Sequence, residues 1–148
     1  IYKFMEYKFP VTLSISLHAP NDTIRSSIMR VNKKWNVEAL IKACKDYIKV
    51  TGRRISFEYA VISGVNDSDD CARQLAKLLK GMLCHVNLIP ANPVKENSFT
   101  KPDRGKIIRF CELLNSLGIN TTVRRTLGAD IDASCGQLRG KQLEEEQH

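Results

Sequence analysis

No stretch of this sequence approaches the roughly 20 consecutive apolar residues that a membrane helix requires, and no charged-then-apolar leader pattern stands at its start. Neither a membrane partner nor secretion is expected. Cysteine is sparse: five residues, an odd number, with no close pairs and no spacing that suits a zinc site. Reduced thiols in a cytoplasmic setting are the expectation. Aromatic residues make up 7% of the chain, and it has neither the aromatic pairs of the commonest RNA-binding sheets nor a G-x-x-G loop. An initial methionine is missing too: the chain opens on Ile1, inside a helical pattern running from Ile1 to Tyr7. The expectation is therefore a piece of a longer protein.

What is present is enough for one folded domain. The chain has 148 residues, 43% hydrophobic and 26% charged, so a sizeable core is expected rather than a disordered tail. Lys and Arg outnumber Asp and Glu by 23 to 16, giving a formal charge of +7. Such an excess suits a polyanionic partner, because neutralised phosphates release counterions. It also suits solubility alone, and charge does not choose between the two.

Strand and helix patterns alternate along the chain. Val11 to His18 reads as a strand ending at Ala19-Pro20. Asn36 caps a helix with a buried stripe of Val37, Leu40, Ile41, Cys44 and Ile48. Ile55 to Ile62 is a second strand, followed by the turn Gly64-Val65-Asn66-Asp67. The next helix carries Cys71, Leu75, Leu78, Leu79 and Met82 on one side. Cys84 to Ile89 is a third strand, broken by Pro90, and a loop runs from Ala91 to about Thr100. Pro102 and Asp103 open a helix with Ile107, Ile108, Cys111, Leu114 and Leu117, which Gly118 stops. Ile119 to Val123 is a short last strand, and the acidic end reads as a solvated tail.

Strands joined by helices of this length need crossovers, so the fold class is α/β with mostly parallel strands. Each of the first three strands has one polar face. Thr12, Ser14, Ser16 and His18 oppose Leu13, Ile15 and Leu17; Ser56 and Glu58 oppose Ile55, Phe57 and Tyr59; His85 and Asn87 oppose Val86 and Leu88. A parallel strand covered on both sides is apolar on both. One polar face each suggests the wall of a hydrated barrel, of which four strands form only a part.

Three segments carry candidate chemistry. Ser14 to Asp22 ends the first strand at the edge where ligands gather in parallel folds, and Ser16 and His18 suit a small polar ligand or merely a polar turn. Asn87-Leu88-Ile89-Pro90-Ala91-Asn92-Pro93 leaves the third strand at the same edge, with Asn92 presenting an amide or stabilising a turn. The third segment is Val123 to Leu138. There Cys135 lies between Ser134 and Gly136, with Arg124 and Arg125 upstream to favour a thiolate. Cys44, Cys71 and Cys111 fall on apolar helix stripes and Cys84 at a strand start, as core residues do. Cys135 is the candidate nucleophile or an incidental loop cysteine.

Together, Ser-Leu-His-Ala-Pro-Asn-Asp at 16–22, Asn-Leu-Ile-Pro-Ala-Asn-Pro at 87–93 and Arg-Arg-Thr-Leu-Gly-Ala-Asp-Ile-Asp-Ala-Ser-Cys-Gly-Gln-Leu at 124–138 resemble the RlmN family. Ile28 to Lys34 and Gly64 to Asp67 support the resemblance, which covers roughly Val11 to Leu138. These are radical-SAM enzymes that methylate adenine carbon 2 in 23S rRNA and tRNA.

The resemblance implies the C-terminal half of such an enzyme. The expected fold is a partial, truncated radical-SAM (β/α)6 barrel, with barrel core over 1–128 and a catalytic-cysteine segment and tail over 129–148. Ser16, Leu17, His18 and Asn92 are expected to contact S-adenosylmethionine. Cys135 is expected to carry the transferred methyl group as S-methylcysteine. A second S-adenosylmethionine, cleaved reductively at a 4Fe-4S cluster, is expected to activate that methyl group for attack on a carbon that is not nucleophilic. The electrons would come from a donor such as flavodoxin. The family's CxxxCxxC cluster motif does not occur here, nor do its second functional cysteine and its general-base glutamate, so the isolated chain is expected to be inactive and to bind no metal. Two alternatives are a related carbon-8 rRNA methyltransferase that confers antibiotic resistance and a non-catalytic RNA-binding module.

Overall fold

A computed structural model of the chain describes residues 1–7, 9–92 and 101–125. Helix α1 (Tyr2–Glu6) is followed by strand β1 (Leu13–Ser16), helix α2 (Asp22–Ile28) and a 3-10 turn (Arg30–Lys33). Then come α3 (Val37–Thr51), β2 (Ile55–Val61), α4 (Asp69–Leu79), β3 (Cys84–Pro90), α5 (Arg104–Ser116) and β4 (Thr121–Val123).

The sheet runs in the order β1-β2-β3-β4, every neighbouring pair parallel. Strictly sequential order means that every crossover passes over the same face. Among the described residues the crossover helices therefore cover one side, as in a barrel wall, whereas a doubly wound sheet reverses direction and covers both.

The alternation along β2 shows how the sequence selects that side. Ile55, Phe57, Tyr59 and Val61 are fully buried, and they pack with Val37, Ile41, Cys44 and Tyr47 of α3, Leu75 and Leu79 of α4, and Ile107, Phe110 and Leu114 of α5. The Tyr59 and Phe110 rings lie 5.4 Å apart, tilted against each other. Ser56, Glu58 and Ala60 point the other way and are only half buried.

Caps set the helix starts. Asn36 accepts from the Ala39 amide and Ser68 from that of Cys71, each at the first turn. Gly52 ends α3 in the left-handed region, at φ 65°, where a side chain is strained.

Several boundaries differ from the sequence reading. β1 is shorter than Val11–His18, because His18 turns left-handed with φ 59° and leaves the strand. Pro90 ends β3 instead of breaking it: its missing N–H falls at the last register position, opposite Val61, and Ala91 donates to the Val61 carbonyl beyond it. β4 is confined to Thr121–Val123, while Met82 and Leu117 lie past the ends of α4 and α5. α2 and the 3-10 turn were not expected at all.

Candidate functional site at the open edge of the sheet

The face away from the helices carries polar side chains in register. Ser14 stands opposite Ser56 and Ser56 opposite His85; Ser16 stands opposite Glu58, Glu58 opposite Asn87, and Asn87 opposite Thr122. Asn87 Nδ2 donates to Glu58 Oε2 at 3.1 Å and Ser56 Oγ to Glu58 Oε1 at 3.4 Å, so the carboxylate is held by neutral donors. His85 Nε2 and Thr122 Oγ1 are 2.8 Å apart. A face on which one strand after another presents hydroxyl, amide and carboxylate groups is built for a polar ligand or water, not for a second layer of helices.

At the C-terminal edge the chain from Ser16 to Pro20 is tied down from behind. Arg25 on α2, 4% exposed, donates from Nε to the Leu17 carbonyl at 3.0 Å and from Nη2 to the Ser16 carbonyl at 3.1 Å. Its Nη1 donates to Asn32 Oδ1 at 2.8 Å and to the Trp35 carbonyl at 3.2 Å. Burial lowers the Arg25 pKa, partly offset by Asp22, whose Oδ1 accepts from Asn32 and from the Val37 amide. A guanidinium this far above neutrality keeps its charge, and its fork brackets the carbonyls that end β1.

From the other side, Leu17 and His18 both donate their amides to the Glu58 carbonyl. His18 Nδ1 accepts from the Ala60 amide at 2.9 Å. Its pKa is lowered, first by burial and then by Arg25, with Glu58 opposing. The ring is neutral at physiological pH.

The expected site residues divide accordingly. Ser16 is exposed on the polar face and His18 half buried at its edge. Leu17 is fully buried in the core cluster, so its side chain lines no open surface and its backbone alone lies at the edge. Asn92 is exposed just past β3, which ends at the same edge as β1. Arg124 and Arg125 are exposed past β4, and the Arg124 amide extends the ladder to Leu88. Cys135 and the segment around it lie outside the described residues, as does the loop from 93 to 100.

Two residues that the sequence reading passed over brace this edge. Nothing in the sequence singles out Arg25. Asn66, fully buried, looked like an ordinary turn residue. The one available signal was an asparagine inside the turn that follows an apolar strand.

The described cysteines do not fit an iron–sulfur cluster. Cys44 and Cys71 are buried on helices, and burial pushes the Cys44 and Cys84 thiols up to about 11, the opposite of what a thiolate ligand needs. Among the described residues no three His, Cys, Asp or Glu side chains are grouped to hold a metal. Nor is any described helix long and apolar enough to cross a membrane. An open groove of about 770 Å3, lined by Asn21, Val37, Ile41, Lys45, Gln74 and Leu78, touches the site only through the Pro20–Asp22 turn.

Comparison with known proteins defines first the class and then the family. A radical SAM methyltransferase from Sphaerobacter thermophilus superposes with a TM-score of 0.86 at 48% identity, over 93% of this chain and 41% of that one. A domain of pyruvate-formate lyase-activating enzyme from Bacteroides vulgatus shares the fold, with a TM-score of 0.61 at 15% identity over 77% of this chain and 67% of that one. The sheet is a partial radical-SAM barrel. No family model matches the chain.

Among curated proteins, one from Desulforamulus reducens named "Probable dual-specificity RNA methyltransferase RlmN" is 56% identical over 89% of this chain and 38% of its own length. One of the same name from Alkaliphilus oremlandii is 57% identical over 94% of this chain and 40% of its own length. The chain thus belongs to the RlmN-type family and spans about two fifths of the length of these relatives.

Proposed function

We propose that this chain is part of an enzyme that methylates carbon 2 of adenine in 23S rRNA and tRNA, with S-adenosylmethionine as methyl donor. The observation that carries the reading is the open polar edge where Ser16 and His18 end β1 beside Glu58 and Asn87, in a chain so similar to the RlmN-type relatives. When bound, S-adenosylmethionine supplies an electrophilic methyl group on a sulfonium.

In this reading Ser16 and His18 offer a hydroxyl and an imidazole to the cofactor, and the exposed Asn92 amide closes on it from the end of β3. Leu17 works from behind, its side chain anchored in the core and its carbonyl held by Arg25. Cys135, outside the described residues, is the proposed methyl acceptor. Its thiolate would accept the methyl group by displacement, with the bonding pair staying on the donor's sulfur as a neutral thioether. The +7 charge suits a phosphate-rich substrate.

The described cysteines do not fit an iron–sulfur cluster. Cluster and electron donor, flavodoxin for example, are proposed to engage parts of the protein beyond this chain, and the chain by itself is proposed to be inactive. A full complement of cluster iron after anaerobic reconstitution of the isolated chain would overturn that proposal.

The decisive experiment is nucleoside mass spectrometry on RNA from cells carrying the full-length protein or its Cys135→Ser variant. The expected result is 2-methyladenosine with the first and none with the second. Product at carbon 8 would favour the related resistance enzyme, and unchanged product with the variant would sink the cysteine's assigned role.

A further inference from the structure

The turn after β2 supplies a residue that the proposed function leaves without a role. Asn66 is fully buried, and its side chain has no unused hydrogen-bonding group. Nδ2 donates to the His18 carbonyl at 2.8 Å and to the Ala60 carbonyl at 2.7 Å, while Oδ1 accepts from the Ile62 amide at 2.7 Å. Its own carbonyl accepts from Tyr59 Oη, also at 2.7 Å. One amide thus joins the end of β1 to the end of β2.

The effect falls on His18. Outside glycine, a left-handed backbone costs on the order of 1 kcal/mol and persists only where surrounding bonds enforce it. Here those bonds are the His18 amide to the Glu58 carbonyl, the His18 carbonyl from Asn66, and Nδ1 from the Ala60 amide. An N–H aimed at Nδ1 requires a lone pair there, so the neutral ring carries its proton on Nε2. Among the described residues Nε2 has no hydrogen-bond partner. Every other polar atom of His18 is in use.

We infer that Asn66 is a positioning residue of the cofactor edge: acting through His18, it presents Nε2–H as a fixed, uncharged hydrogen-bond donor to an acceptor atom of the bound nucleoside cofactor. His18 then serves recognition rather than proton transfer, because the atom that faces the ligand already bears the proton. The inference rests on the cofactor reading above for the ligand's identity and on the geometry alone for the tautomer.

The test uses the intact protein. With 15N-histidine labelling and His18→Asn to assign the signal, the His18 ring is expected at neutral pH with Nδ1 unprotonated and Nε2 protonated. His18→Asn keeps an oxygen acceptor for the Ala60 amide and tolerates the left-handed backbone, but removes the donor. Its affinity for S-adenosylmethionine by titration calorimetry is expected to fall about tenfold, the size of one neutral hydrogen bond. Asn66→Asp removes both side-chain donors. It is expected to lower affinity similarly, to perturb the His18 nitrogen shifts, and to add nothing when combined with His18→Asn.

An Nδ1-protonated or charged ring, wild-type affinity in His18→Asn, or additive losses in the double variant would overturn the inference. Should Asn66→Asp not fold, the wild-type tautomer and the His18→Asn affinity still decide. Absence of any S-adenosylmethionine binding by the wild-type protein would instead refute the cofactor reading, and the nitrogen shifts would judge the lock by themselves.

Discussion

The two faces of the sheet share a backbone and differ in almost everything else. On one, Ile55, Phe57, Tyr59 and Val61 are excluded from water by three helices. On the other, Ser16, Glu58, Asn87 and Thr122 form a row across four strands with no described helix above it. The first face holds its shape by buried area, which is non-directional and large. The second holds it by a few directed bonds, which contribute little each but fix positions to fractions of an ångström. Stability and the proposed recognition are thus carried by alternate side chains along the same strand.

The sharpest way to break that division is a large cavity under the sheet. Phe57→Ala is expected to destabilise by about 3–5 kcal/mol in urea unfolding, with ligand affinity unchanged in whatever remains folded. Next comes Arg25→Met, which removes four hydrogen bonds from beneath β1 and leaves the Ser16 and Leu17 carbonyls without those partners. A loss of about 2–3 kcal/mol is expected, together with weaker S-adenosylmethionine binding, since the carbonyls it holds lie at the proposed cofactor edge. An Arg25→Met protein of normal affinity would show that the edge holds itself.

A smaller effect is expected from pH. The folded His18 pKa lies below its ordinary value of 6.5, so as pH falls the unfolded chain takes up this proton first. The stability linked to His18 is complete above about pH 6.5 and declines as pH drops toward the folded pKa. The pH dependence of the urea midpoint should be shallower in His18→Asn over that range, and an identical slope would remove His18 from the titration. Smallest of all is Lys42→Ala. Its ion pair with Asp46, at 3.0 Å, is solvent-exposed, and no shift of the melting midpoint is expected.

Much of this was legible in the sequence because it repeats. Period-two alternation in 55–61 and 84–90 separated the faces correctly, and the Asn36 cap and the stripe through Val37, Ile41 and Cys44 located α3. α2 escaped because it has no such stripe. Its seven residues carry only Ile24 and Ile28 as apolar positions, and they are held by the local Asn21 cap and by Arg25 reaching down to the end of β1, a contact that no periodic pattern announces. At the site, Ser16, His18 and Asn92 stood out through their motifs. Leu17 came with the same motif as Ser16 and His18, and its side chain lies in the core.

What the chain's order of residues determined by itself is which side of each strand meets oil and which meets water, since hydrophobic burial needs only the right side chain at the right period. Which polar residues hold the edge was decided by tertiary structure alone. Asn66 and His18 are 48 positions apart, Arg25 and Leu17 are eight, and neither pair carries a local pattern. Asn66 and His18 meet because the parallel strands β1 and β2 end side by side, and Arg25 meets Leu17 because α2 packs back against the end of β1; a hydrogen bond depends on where its two atoms finish in space, whatever their separation along the chain.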